Sequence, residues 1–241
     1  MLIGRLEARL ILRAYFPFLL LIVMPIIVTS FVSRGLVGGP AHTVPSLAAM
    51  FGLFGMTIVG LTFFRDHGWQ TWDRLRASPL RPGQIMLGKA LPLVTLFVVQ
   101  QIILLSVGWA FFGMPWSGDI PGAALLILAI VAVEASFGML VVTFCRTIEQ
   151  LAVAGYLSAL LMAGFGGALA PLSRLPDWAV TLAPVSPVYW MERGFRVLVA
   201  GDRPTSDLLL SAGILFGFAT VAALIAVRCY RLDERKSYFP Q

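Results

Sequence analysis

Six runs of almost unbroken apolar residues organise this chain, each close to the twenty or so residues that cross a hydrocarbon core of about 30 Å. They lie at roughly 15–37, 44–64, 85–112, 120–144, 148–171 and 207–230. Continuous runs predict helices, whereas a membrane β-strand alternates apolar and polar positions over about 10 residues. Pro17, Pro25 and Pro92 fall inside these runs or near their ends, where a helix packed among neighbours tolerates them. Two polar stretches, 65–80 and 171–207, are longer than a chain reversal needs. The pattern predicts one all-α membrane domain over residues 1–241 with six transmembrane helices.

Composition agrees, with 59% of the 241 residues hydrophobic and 12% charged. Lys and Arg are retained on the cytoplasmic side, so their placement predicts orientation. With the N-terminus inside, the inner segments hold thirteen of the 18 cations, and only Arg34, Arg174, Arg193, Arg196 and Arg203 lie outside. Both termini are therefore expected in the cytoplasm of a multi-pass inner-membrane protein. The net charge of +6 reads as a topology signal and not as a nucleic-acid surface. Cys145 and Cys229 fall at cytoplasmic helix ends and are expected as free thiols. The first apolar run is too long for the core of a cleaved signal peptide.

Residues 1–13 read as an amphipathic helix, because Arg5, Arg9 and Arg13 recur every four residues beside Ile3, Leu6 and Leu10. It fits either a simple interfacial anchor or an elbow that also touches a cytoplasmic partner. The 65–80 insert reads as a short helix with Trp69, Trp72 and Leu75 on one face and Asp66, Asp73, Arg74 and Arg76 on the rest. Pro79 limits its length. Composition leaves two readings, a solvated loop or a docking element whose tryptophans sit at headgroup level.

The run from Arg65 through Asp66, Gly68, Thr71, Asp73, Arg74 and Leu75 to Ser78-Pro79, followed by Leu87-Gly88-Lys89, resembles the signature between the second and third spans of ABC-2 type transporter permeases, particularly the daunorubicin-type export branch. Pro171 to Trp178, Ala183-Pro184-Val185-Ser186-Pro187 and Arg193-Gly194-Phe195-Arg196 resemble the outer segment before the family's last span. Where the family often carries Glu, this chain has Asp66-His67 and Trp72-Asp73. The resemblance implies the transmembrane subunit of an exporter. Two such subunits, identical or paralogous, would work with two copies of an ABC ATP-binding subunit that carries the ATP and Mg. It also implies that 65–80 is the cytoplasmic coupling helix, with Arg65, Asp66, Gly68, Trp69, Thr71, Trp72, Asp73, Arg74, Leu75 and Arg76 at the ATPase joint. The 1–13 helix would brace that joint against membrane lipid.

No nucleotide motif of the chain's own is expected. Gly83 to Lys89 has the spacing of a phosphate loop, but Ala90 replaces the Ser or Thr that would hold magnesium and no strand precedes it. His42 and His67 stand alone in sequence, so neither a metal site nor a nucleophile assembles and the chain reads as a non-enzyme without cofactor. Glu134, central in the fourth run, with Gln100 and Gln101 in the third, are candidate pathway residues, and a hydrogen-bonded structural Glu is the alternative. An ion-coupled secondary transporter using Glu134 is the runner-up function. In 171–207 two helical pieces are expected, with Glu192 and Arg196 four apart and able to pair. An extracellular cap is one reading; the resemblance implies partly re-entrant helices forming an outer gate with Trp178, Trp190, Glu192 and Arg196. Gly155, Gly164, Gly166 and Gly167 permit close helix approach, and the resemblance makes them candidates for the seam between two permease subunits.

Overall fold

The computed structural model describes residues 16–32, 39–69, 71–73, 77, 79–80, 82–201 and 205–230. Among them every regular element is helical: α1 (Phe16–Val32), α2 (Gly39–Gly68), α3 (Pro82–Phe112), α4 (Ile120–Phe144), α5 (Ile148–Gly166), α6 (Asp177–Leu182), α7 (Pro187–Ala200) and α8 (Thr205–Cys229). Short 3-10 turns at Leu172–Arg174 and Ala183–Val185 punctuate the stretch between α5 and α7. Five helices, α2, α3, α4, α5 and α8, are long and apolar enough to cross a membrane. The first expected span corresponds to α1, a shorter apolar helix of 17 residues. The 1–13 segment with Arg5, Arg9 and Arg13 lies outside the described residues.

Local chemistry explains the boundaries. Asp119 caps α4 by accepting the Gly122 N–H at 2.9 Å, Thr147 caps α5 through the Gln150 N–H at 3.2 Å, and Ser186 caps α7 through the Val188 N–H at 3.2 Å. Gly167 ends α5 in the left-handed region, at φ 90°, where a side chain would be strained. Pro25, Pro45 and Pro92 are accommodated inside α1, α2 and α3.

The second span departs from expectation. Its apolar run stops at Phe64, yet α2 continues to Gly68, giving 30 residues and a length of about 45 Å. Within this extension the Asp66 carboxylate is paired inside the fold with Lys89 of α3.

At the centre sits α4, which packs against α2, α3, α7 and α8 and buries Leu126, Ala129, Ile130, Val131 and Val133. On its far side α8 offers Ala212, Leu215, Ala219, Ala222 and Ala226, a small-residue face that lets the two helices run close. Where α4 crosses α2, a Cβ on Gly138 would lie 2.6 Å from Val59 Cβ and 2.8 Å from the Met56 carbonyl oxygen. Backbone cannot yield there as a flexible side chain would. Gly138→Ala is therefore expected to force α2 and α4 apart at a cost of about 1–3 kcal/mol, read as a lower melting temperature of the detergent-solubilised protein.

Candidate functional site

Polar chemistry concentrates at the two ends of α2. At the end carrying the insert, the ammonium of Lys89, fully buried, pairs with Asp66 and donates to the Thr62 carbonyl at 3.1 Å. Its Nζ also lies 5.3 Å from the centre of the Phe63 ring. Thr71 folds back onto the same carboxylate, its hydroxyl 3.2 Å from Asp66 Oδ1 and its N–H donating to the Asp66 carbonyl at 3.0 Å.

These bonds correct the expectation of one helix over 65–80. Arg65, Asp66 and Gly68 belong to the last turns of α2, and the chain then turns before Trp72 and Asp73 resume helical geometry. Trp69 and Trp72 consequently do not share a face. Trp69 is 58% exposed, with the Arg65 guanidinium 5.3 Å from its ring centre, whereas Trp72 is 4% exposed. Trp72 stacks on His67 at 4.4 Å and meets Tyr230 edge-on at 6.0 Å, and Tyr230 in turn meets Phe63 at 5.6 Å. Arg74, Leu75 and Arg76 lie outside the described residues. Among the described residues this end presents Trp69, Asp73, Ala77 and Pro79 outward.

Lys89, His67 and Tyr230 are the residues that sequence reasoning missed here. Lys89 looked like one more inner cation and the tail of a phosphate-loop spacing; the structure puts that spacing in the first turns of α3. A usable signal existed, since a lone Lys within a spanning helix requires a counter-charge.

At the other end of α2, His42 is not isolated. Its Nε2–H donates to the Gly167 carbonyl at 3.1 Å, and Oε2 of Glu192 lies 3.8 Å from the same nitrogen. The i, i+4 pairing of Glu192 with Arg196 is thus replaced by a contact across helices; Arg196 only favours the Glu192 charge through space. Burial raises the Glu192 carboxyl from 4.5 to about 7, against the Ser46 hydroxyl and Arg196, which lower it. Around these groups is a cavity of about 190 Å³. Of the other expected gate residues, Trp190 donates its indole N–H to the Pro184 carbonyl at 2.9 Å, and Trp178 is 61% exposed with its ring edge-on to Phe165. Arg193, which sequence reasoning left aside, bonds Asp207 of α8 at 3.1 Å, an interaction that raises its pKa.

Between the two ends, Gln101 Nε2 donates to Glu134 Oε1 at 2.8 Å and to the Ala48 carbonyl at 3.3 Å, tying α2, α3 and α4 together beside Gly52. Gln100 donates to the Leu21 carbonyl of α1 at 3.4 Å. All three expected pathway residues are buried inside the bundle, and none lines the cleft of about 900 Å³ between α3, α4 and α8. Two expected seam glycines are used within the chain. A Cβ on Gly155 would strike Thr57 of α2, and one on Gly166 would strike Val188 of α7. Gly164 has open space apart from Leu169, and Gly167 serves as the α5 cap.

Lys89→Met should leave Asp66 buried without its counter-charge and cost about 3–5 kcal/mol, with Asp66→Asn in the same chain recovering most of the loss. Thermal unfolding in detergent reads both. Glu192 predicts a pH dependence. Its folded value lies above the unfolded one, so its stabilising contribution is complete below about pH 4.5 and is lost as pH rises through about 7. The melting temperature should fall across that window by the equivalent of up to about 3 kcal/mol, and Glu192→Gln should remove this slope.

Residues 3–199 match the ABC-2 type transporter family. The probable multidrug ABC transporter permease YbhR of Escherichia coli K12 is 31% identical over 152 residues, which are 60% of this chain and 40% of that protein. The linearmycin resistance permease protein LnrN of Bacillus subtilis 168 is 26% identical over 200 residues, 80% of this chain and 51% of that protein. The matches thus span about half or less of these curated relatives. The family match runs through the insert and both ends of α2, and the chain belongs to the ABC-2 type transporter family.

Proposed function

We propose that this chain is the membrane subunit of an ATP-driven exporter that moves a hydrophobic or amphipathic molecule, such as a drug, an antibiotic, a lipid or a lipid-linked glycan, out of the cytoplasm. One observation carries the reading. The insert after α2 is fastened to three spanning elements, through its own chain to α2, through Thr71 to the Asp66–Lys89 pair that joins α2 to α3, and through Trp72 to Tyr230 at the end of α8, while Trp69 and Asp73 stay outward. A movement of a partner below the membrane reaches a pathway only through a stiff element of this kind.

The partner in this reading is an ABC ATP-binding subunit, present in two copies, that holds ATP and Mg. A second permease subunit completes the pathway, with six spans per subunit and both termini cytoplasmic. The relatives' names, multidrug permease and linearmycin resistance permease, support hydrophobic cargo. So does the cleft walled by Leu87, Leu91, Ala132, Ser136, Ala219 and Ala223, whose lining is mostly apolar.

The test uses exposed residues, because Trp72→Ala would disturb the fold. Affinity purification from native membranes should recover an ATP-binding subunit with the wild type, and Trp69→Ala with Asp73→Lys should reduce recovery about tenfold or more, as loss of an interface anchor does. Equal recovery from a well-folded double variant, or none from the wild type, would sink the coupling assignment and bring Glu134-linked ion coupling forward.

A further inference from the structure

The outer end of α2 touches both ends of the segment that follows α5. His42 holds the Gly167 carbonyl, where that segment begins, and faces Glu192 on α7, near where it finishes. Glu192 is 4% exposed, and its Oε1 has no hydrogen-bond partner among the described residues. A buried carboxylate satisfied on one oxygen only is costly to keep in place. Its contact with α2 is therefore one that a small displacement can exchange for another, unlike the Lys89–Asp66 pair, which draws in Thr62 and Thr71 as well.

Among the described residues Arg196 is the one permanent charge close to it. Arg196 of α7 and His42 of α2 are the ionisable groups on the cavity wall; α4 presents Leu126 against Gly194, α5 ends there in Gly166 and Gly167, and Asp207 of α8 is engaged by Arg193. Along α2 the same helix reaches the insert, since residues 42 and 66 are about 36 Å apart at 1.5 Å per residue. The helix runs without a break from Gly39 to Gly68 and is buried along most of its length, so it links the two ends directly.

We propose that His42 and Glu192 form an outer latch, holding α7 against α2 in the closed pathway and parting when the insert displaces α2. The latch rests on the exporter reading above and adds its point of control. His42 and Glu192 act as positioning residues, without contact to cargo. Ser46, one turn along from His42, donates its hydroxyl to the His42 carbonyl at 2.7 Å, close beside the imidazole. The cavity of about 190 Å³ beside the contact gives the Glu192 side chain space to turn into when α2 withdraws.

The deciding experiment starts from a chain with Cys145→Ala and Cys229→Ser, to which His42→Cys and Glu192→Cys are added in cells that keep the native partners. A flexible bis-methanethiosulfonate reagent bridges the two thiols, and efflux of daunorubicin, a fluorescent amphipathic amine, is followed. The expected result is loss of efflux on bridging with the ATP-binding subunit still recovered, return of efflux after reduction, and no effect of the reagent on either single-cysteine chain. Undiminished efflux from the bridged chain would overturn the latch and leave the exporter reading standing. Absence of both efflux and ATP-binding subunit with the wild type would instead remove the exporter reading, and the latch with it. Should the double-cysteine chain fold poorly, Glu192→Ala, which removes the side chain that meets His42, serves as the second variant. It should raise passive daunorubicin entry into energy-depleted cells, and entry equal to wild type would count against the latch.

Discussion

The arrangement depends on a carboxylate and an ammonium taken out of water together. Asp66 on α2 and Lys89 at the start of α3 would each be costly to bury without the other. Joined, they let α2 run on as one helix and bring the start of α3 beneath its last turn. Thr71 then closes the chain over the same carboxylate, and the turn it makes sends Trp72 inward and leaves Trp69 outside. The direction each tryptophan faces is thus a consequence of one ion pair.

From that joint α2 extends through three further kinds of contact. Close packing against α4 at Gly138 and against α5 at Gly155 leaves no slack for side-chain rearrangement. Midway, the Gln101–Glu134 bond spans from α3 to α4 beside Gly52, so the central polar groups bind helices to one another. At the far end Thr43, Val44, Pro45 and Ser46 are again buried, and the polar contact there is one imidazole facing one carboxylate beside a small cavity.

Much of the local structure was legible in the residues. The apolar runs located the long helices, and the prolines of 171–207 divided it into the short helices that form. Errors arose wherever a side chain's partner came from a distant part of the chain. Trp69 and Trp72 share a face on an ideal helix, but Asp66 and Thr71 break that helix between them. Glu192 and Arg196 are at helix-pairing distance, but His42, 150 positions earlier, faces the carboxylate instead. Gly155 and Gly166, suited by size to an intersubunit seam, meet Thr57 and Val188 of their own chain.

By itself the sequence determined that this is a helical membrane protein, where its long helices lie and which signature it carries, since these follow from local hydropathy, charge placement and turn chemistry. Only the tertiary structure decided which charges are spent within the chain and which remain exposed. Hydropathy is a property of each residue, whereas the cost of a buried charge depends on what other segments bring within a few ångströms of it. Lys89 and Asp66 read as two surface charges until the fold puts them together, and His42 reads as a lone histidine until α7 sets Glu192 beside it.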